Sequence, residues 1–420
     1  MESSSFSAFP RPRGTALKTF EADTFKRERF SPITADCISV VTLSRVMEII
    51  RHKGVRMYRI KSCFIAMLLV VGCETILAAQ TTFLGGLSQI STVASTVPAN
   101  GDVNPYGIFE VPTSSGKLVA GHFLISNFNN KANLQGTGTT LMDIAPDGEV
   151  KQFAHIRADH LPGQCPGGVG LTTALVVLKT GWVIVGSLPT ADGTSATAQA
   201  GCLLVLNNRG RVVKTFSGGK INGPWDMTVS DGDDTAVLFV TNVLNGTVAA
   251  SPNVVNGGTV VRLVLDVSGS EMPELKSSTI IGSEFPERTD PGALVIGPTG
   301  VVFDANRNVL YVADSLSNRI AVIGDPLMRR HTAGSGTTVT IDGSLNDPLG
   351  LTLAPNGDLI AANGDDGNLV EITPSGDQVA TKLVDSSGSP PGAGTLFGLF
   401  AAPGRVYFVD DGSNTLNVLH

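Results

Sequence analysis

Residues 297–324 read GPTGVVFDANRNVLYVADSLSNRIAVIG. A Pro leads through one residue into a Gly, and an apolar run, Val301-Val302-Phe303, follows. Asp304–Asn308 is rich in residues that accept turn geometry, so the spacing predicts a hairpin into Val309–Ala313. Asp314 closes that second run, a polar loop reaches Asn318, and Arg319–Ile323 supplies a third. Short apolar runs joined end to end in this way describe consecutive antiparallel strands.

The same grammar returns at once in DPLGLTLAPNGDLIAANGDDGNLVEITPSGDQVATKLV, from Asp347. Here Asn356-Gly357 and Ser375-Gly376 stand where hairpin turns need residues that tolerate positive φ. Looser copies are NPYGIF with HFLISNFNN, GGVGLTTALVV with WVIVGSLP, GPWDMTV with VLFVTNVLNGT, and LFGLFAA with RVYFVDDGSN. Lead-ins fall near Asn104, Gly167, Gly223, Gly297, Asp347 and Leu396. A four-stranded repeat needs about 40–50 residues, so the wider spacings carry insertions, the largest around Leu244–Gly258 and Met272–Pro291. Six copies predict an all-β, six-bladed β-propeller of predominantly four-stranded antiparallel blades, in which ring closure buries both faces of every blade. The chain stops after Leu416–Leu419, the third strand of the last blade. The missing strand is expected from the other end of the domain, within Phe83–Val93 or its Thr92–Val97 part.

Composition agrees. With 48 Gly, 23 Pro and 16% charged residues, long helices are disfavoured, while 42% hydrophobic residues suffice for a substantial core. Residues 1–56 carry scattered Pro and charge, and read as an unstructured extension or as the product of a start assigned upstream of Met57. Residues 57–80, MYRIKSCFIAMLLVVGCETILAAQ, place Arg59 and Lys61 before an uncharged run from Ser62 to Cys73. That order matches a secretory signal cut near Ala78–Gln80, and the apolar run is too short for a membrane span. The expected location is secreted or periplasmic, with no integral membrane domain after processing. Val70–Cys73 also resembles a lipoprotein box, which would acylate Cys73 and tether the domain. The domain from 81 to 420 holds 18 Lys and Arg against 30 Asp and Glu, a poor surface for nucleic acid. Export also allows Cys165 and Cys202 to pair, two buried thiols being the alternative.

Repetition places equivalent residues in a ring. Closing the second strand of each blade are Asn127, Gly186, Asn242, Asp314, Asn363 and Asp410, expected at one end of the axial channel. Oxygen donors of this kind suit Ca²⁺. They equally suit capping of a turn through backbone hydrogen bonds, and both roles stay open. Asp226 replaces the lead-in Gly beside Trp225, making both candidate channel residues. His155, His160 and Cys165 match no strong zinc spacing, and there is no Gly-x-Ser-x-Gly elbow.

The pattern Pro-x-Gly-apolar-x-x-Asp, Leu-Tyr-Val-Ala-Asp, Asn-Arg-Ile-x-Val at Pro298–Ile323 resembles the NHL repeat. The whole segment from 81 to 420 looks like an exported family of bacterial NHL-like propellers, largely uncharacterised. Its fold is similar to those of calcium-dependent lactonases, strictosidine synthase-like proteins and streptogramin-type lyases. The lactonase likeness implies Asn242, Asp314, Asn363 and Asp410 as Ca²⁺ ligands, although Glu110 lies too far along for the first-blade Glu. Two functions remain: an extracytoplasmic binding or interaction propeller for a protein, glycan or small molecule, or a metal-assisted hydrolase or lyase acting on a lactone or related substrate. No catalytic residue can be assigned, and shared architecture does not choose between them.

Overall fold

A computed structural model describes residues 82–269 and 271–420. The extension at 1–56 and the export segment at 57–80, Cys73 included, lie outside the described residues. Six antiparallel sheets form, one for each lead-in, and the fold is the six-bladed propeller expected from the repeat. The inner strands are Val103–Glu110, Leu171–Val177, Pro224–Asp231, Pro298–Asp304, Pro348–Leu353 and Leu396–Ala402. They pack side by side around the axis, and in the first five blades the later strands follow outward in chain order. Gly357 and Gly376 take φ of +86° and +101° at the two hairpins where positive φ was expected.

Alternation along each strand sends successive side chains to opposite neighbours. Leu175 and Val177 pack with Leu124 and Leu141 of the first blade, whereas Val176 packs with Leu238 and Val240 of the third. Both faces of a blade are therefore core.

The last sheet is completed from the N-terminal side. Ile90–Ser95 pairs antiparallel with Thr415–Leu419, from Ile90 opposite Leu419 to Ser95 opposite Thr415. The preceding turn is fastened to the fifth blade, where the backbone N–H groups of Phe83 and Leu84 donate to the buried Glu371 carboxylate at 2.7 and 2.8 Å. One segment thus closes the sixth blade and grips the fifth.

Blade three departs from four strands. Val255–Asp266 and Glu274–Asp290 are long, and a fifth strand, Leu294–Ile296, follows. The sequence insertion becomes an extension that turns back over the axis. In blade two, Cys165 and Cys202 form a disulfide with Cα atoms 5.2 Å apart. Among the described residues no helix is long and apolar enough to cross a membrane.

Candidate functional site

Every blade has a register irregularity at its lead-in. Pro298 pairs with Asp314, but the next partners are Val301 and Val312; the inner strands of blades one, three, five and six repeat this one-residue shift, and that of blade two slips by two residues between Leu171 and Leu175. The two residues after the lead-in position form a bulge, a device that re-aims side chains. In four blades the first of them, Tyr106, Trp225, Leu349 and Phe397, joins a common buried cluster at the axis. Tyr106 stacks on Phe397 at 3.8 Å and on Phe128 at 4.4 Å between ring centroids, with Trp225 at 6.3 Å. The blade-three extension roofs them: Ala293–Ile296 are buried in the same cluster, and Trp225 Nε1 donates to the Val295 carbonyl at 3.1 Å. This end of the axis is sealed by apolar side chains.

The second bulge residue is Gly107, Gly300, Gly350 or Gly398 in four blades, and each abuts the next inner strand. A Cβ on Gly300 would lie 2.7 Å from the Leu349 carbonyl oxygen, and one on Gly350 would collide with that of Phe397. Blade three breaks the rule with Asp226, and blade two has a longer bulge, Thr172-Thr173-Ala174, between its paired residues Leu171 and Leu175. Asp226 reaches into blade four, where its Oδ2 accepts from the Val301 N–H at 2.9 Å.

Below the aromatic seal, the six inner strands enclose an axial well of about 180 Å³ that ends on Asp226 and Thr173. Its walls are Ile108, Leu175, Met227, Val301, Leu351 and Leu399, and its rim includes Phe109, Thr228, Thr352 and Phe400. The rim residues are half-buried and lie further along their strands than the buried seal, so the well opens at the opposite end. Burial pushes the Asp226 carboxyl up to about 7, against an ordinary 3.8, with the Val301 and Met227 N–H groups opposing the shift. Thr173 is 5% exposed, and its Oγ1 has no hydrogen-bond partner.

Between those two pH values the folded chain holds a proton that the unfolded chain has lost. The stability this group contributes is present at low pH and lost as pH rises through 7. Asp226→Asn retains an acceptor for Val301 without ionising. It is expected to stabilise the fold at about pH 8 by on the order of 4 kcal/mol, read as a higher calorimetric midpoint, and to change little at about pH 4. An equal effect at both pH values would contradict the buried-acid assignment.

The residues closing the second strands lie elsewhere. None of Asn127, Asn242, Asp314, Asn363 and Asp410 lines the well. The register also corrects the second-blade member of this ring, because Leu171 pairs with Ser187 and not with Gly186. Each side chain is engaged close to its own strand end. Asn127 donates to the Thr96 carbonyl and to Thr140, while Asn242 accepts from the Asn222 N–H. Asn363 donates to the Ser344 carbonyl and to Asp366, and Asp410 accepts from the Ser413 N–H and from Asn417. Asp314 accepts two bonds from Arg319, at 2.7 and 3.0 Å, in a buried pair.

Of the four residues Asn242, Asp314, Asn363 and Asp410, the Asp314 and Asn363 side chains each keep one buried oxygen, Oδ1, without a hydrogen-bond partner. A guanidinium already neutralises the one fully buried carboxylate, and the other donors serve loops of separate blades. No grouping of three or more His, Cys, Asp or Glu among the described residues is arranged to hold a metal. Asp304 caps its own turn, accepting from the Asn306 and Arg307 N–H groups and from the Arg307 side chain. Asp226 and Trp225 are at the axis as expected, Trp225 in the seal and Asp226 at the end of the well. Thr173, in the longer bulge of blade two, was missed.

No family model matches the chain. The repeat is NHL-like. A stretch of 71 residues is 41% identical to NHL repeat-containing protein 2 of Homo sapiens, covering 15% of this chain and 10% of that protein. The Bos taurus protein of the same name matches equally, so the chain spans about a tenth of the length of these curated relatives. Solved structures similar to this NHL-like propeller include a gluconolactonase from Xanthomonas campestris, 14% identical with a TM-score of 0.49 over 79% of this chain and 88% of that one. Virginiamycin B lyase from Staphylococcus aureus is 17% identical with a TM-score of 0.42, over 79% of this chain and 84% of the lyase. These distances carry no information about chemistry.

Proposed function

We propose that the chain is an extracytoplasmic binding propeller that takes a small molecule in its axial well. The observation that carries this reading is the placement of a buried acid, Asp226, at the closed end of a cavity whose other lining residues are uncharged. Four blades have Gly at that position, so the ring does not require a carboxyl there. An ionisable group that weakens the fold at neutral pH is a common signature of a functional position. The Cys165–Cys202 disulfide and the export signal expected at 57–80 support an oxidising location. The metal-assisted hydrolase or lyase reading gains no support from the four proposed ligands.

Fragment-sized compounds screened by ligand-observed NMR test the proposal. Hits on the full chain are expected to lose contact when the well is filled by Leu399→Trp, and added calcium is expected to leave them unchanged. Hits retained by a folded Leu399→Trp variant would place binding elsewhere.

A further inference from the structure

We propose that the axial well selects a small organic monocation, a primary ammonium on a short apolar or aromatic tail, with Asp226 as its counter-ion. The inference rests on the reading of the well as a ligand site and adds the chemistry of the ligand. Among the described residues Asp226 is the only ionisable side chain lining the cavity, and no Lys, Arg or His meets it there. Its carboxylate has backbone N–H partners but no cation, and a buried charge without a counter-charge is costly. A ligand ammonium supplies the missing charge. Its three donors have acceptors waiting in the carboxylate and in the unpartnered Thr173 hydroxyl.

The walls fix the rest of the ligand. Beyond the acid they are mostly aliphatic, with Phe109, Phe400, Thr228 and Thr352 toward the opening. A cavity of about 150 Å³ admits benzene, so 180 Å³ suits one ring or a short alkyl chain. An anion would meet like charge with nothing to offset it. The acidic balance of the domain and the aromatic rim both favour approach of a cation.

Binding should follow the ionisation of Asp226. The strands packed against it are Leu171–Val177, Val183–Ser187, Thr235–Asn242 and Pro298–Asp304. Together with its own strand they carry only two other titratable groups, Asp231 and Asp304, both at far strand ends. Each already has a partner, Asp231 in the Lys179 N–H and Asp304 in Arg307. Protonation of Asp226 therefore removes the counter-ion with no neighbour to replace it.

The test is calorimetric titration of the full chain with benzylammonium and with its neutral analogue, benzyl alcohol. At about pH 8 the cation is expected to bind at least tenfold more tightly, or about 1.4 kcal/mol. Asp226→Asn should erase that preference while leaving the alcohol bound. On the unsubstituted protein, lowering the pH from about 8 to about 5.5 should weaken benzylammonium at least tenfold and spare the alcohol. The pH arm does not depend on the variant folding. Equal affinity for the two probes, or a cation affinity indifferent to pH, would overturn the cation assignment and leave the well as a ligand site. If neither probe binds, both readings fall.

Discussion

Deletion of residues 82–96 is expected to abolish cooperative folding. Those residues supply the outermost strand of blade six, and without them the Thr415–Leu419 strand becomes an open edge. The loss extends beyond one ladder. Leu84 and Leu87 leave a cluster shared with Ile360, Leu369 and Phe408, and the Glu371 carboxylate is left buried without its two N–H donors. Each such event costs about 1–3 kcal/mol, and together they approach the about 5–15 kcal/mol that keeps a domain folded. Thermal melts followed by circular dichroism, with size-exclusion chromatography for aggregation through the exposed edge, provide the readout. A peptide spanning residues 82–97, added in trans, should restore part of the transition. A truncated chain melting within a few degrees of the intact one would show that the ring closes without this strand.

Reduction of the Cys165–Cys202 bridge is the second large effect. It joins residues 37 apart, and cross-linking a loop of that length removes unfolded-state entropy worth about 4 kcal/mol. Cys202 is fully buried at the start of the third strand of blade two, and Cys165 lies in the loop before that blade's inner strand. The bridge therefore fastens an irregular loop to a packed strand. Denaturant midpoints of the oxidised protein and of a Cys165→Ser/Cys202→Ala variant should differ accordingly, with a steeper slope for the variant, whose unfolded chain is less compact. Coincident midpoints would mean that packing alone holds the loop.

The fold was legible because the repeat is written in residues with one physical use. The Pro and Gly of the lead-in, the Asn-Gly turn at 356–357 and the apolar runs between them specify strands and their order. The strand deficit after Leu419 made closure from the N-terminal side predictable. The site was less legible, and the lead-in bulge explains why. That bulge turns Tyr106, Trp225 and Phe397 toward the axis, while Asp314 and its equivalents pair across from the lead-in residue and turn to their own loops. Simple alternation along a strand cannot reveal this. Nor could sequence show that the insertion ending at Ile296 lies over the axis, because an insertion carries no copy of the repeat to align. Asp226 stood out for the opposite reason: it breaks the repeat, and the break falls where the cavity ends.

The most direct measurement is a carbon-13 carboxyl titration of Asp226, assigned by comparison with Asp226→Asn. A buried acid at the closed end of the axial well should titrate at about 7. A midpoint in the ordinary carboxylate range, near 4, would mean that water or a cation reaches this residue freely, and that the well does not have the uncompensated buried acid on which the proposed function depends.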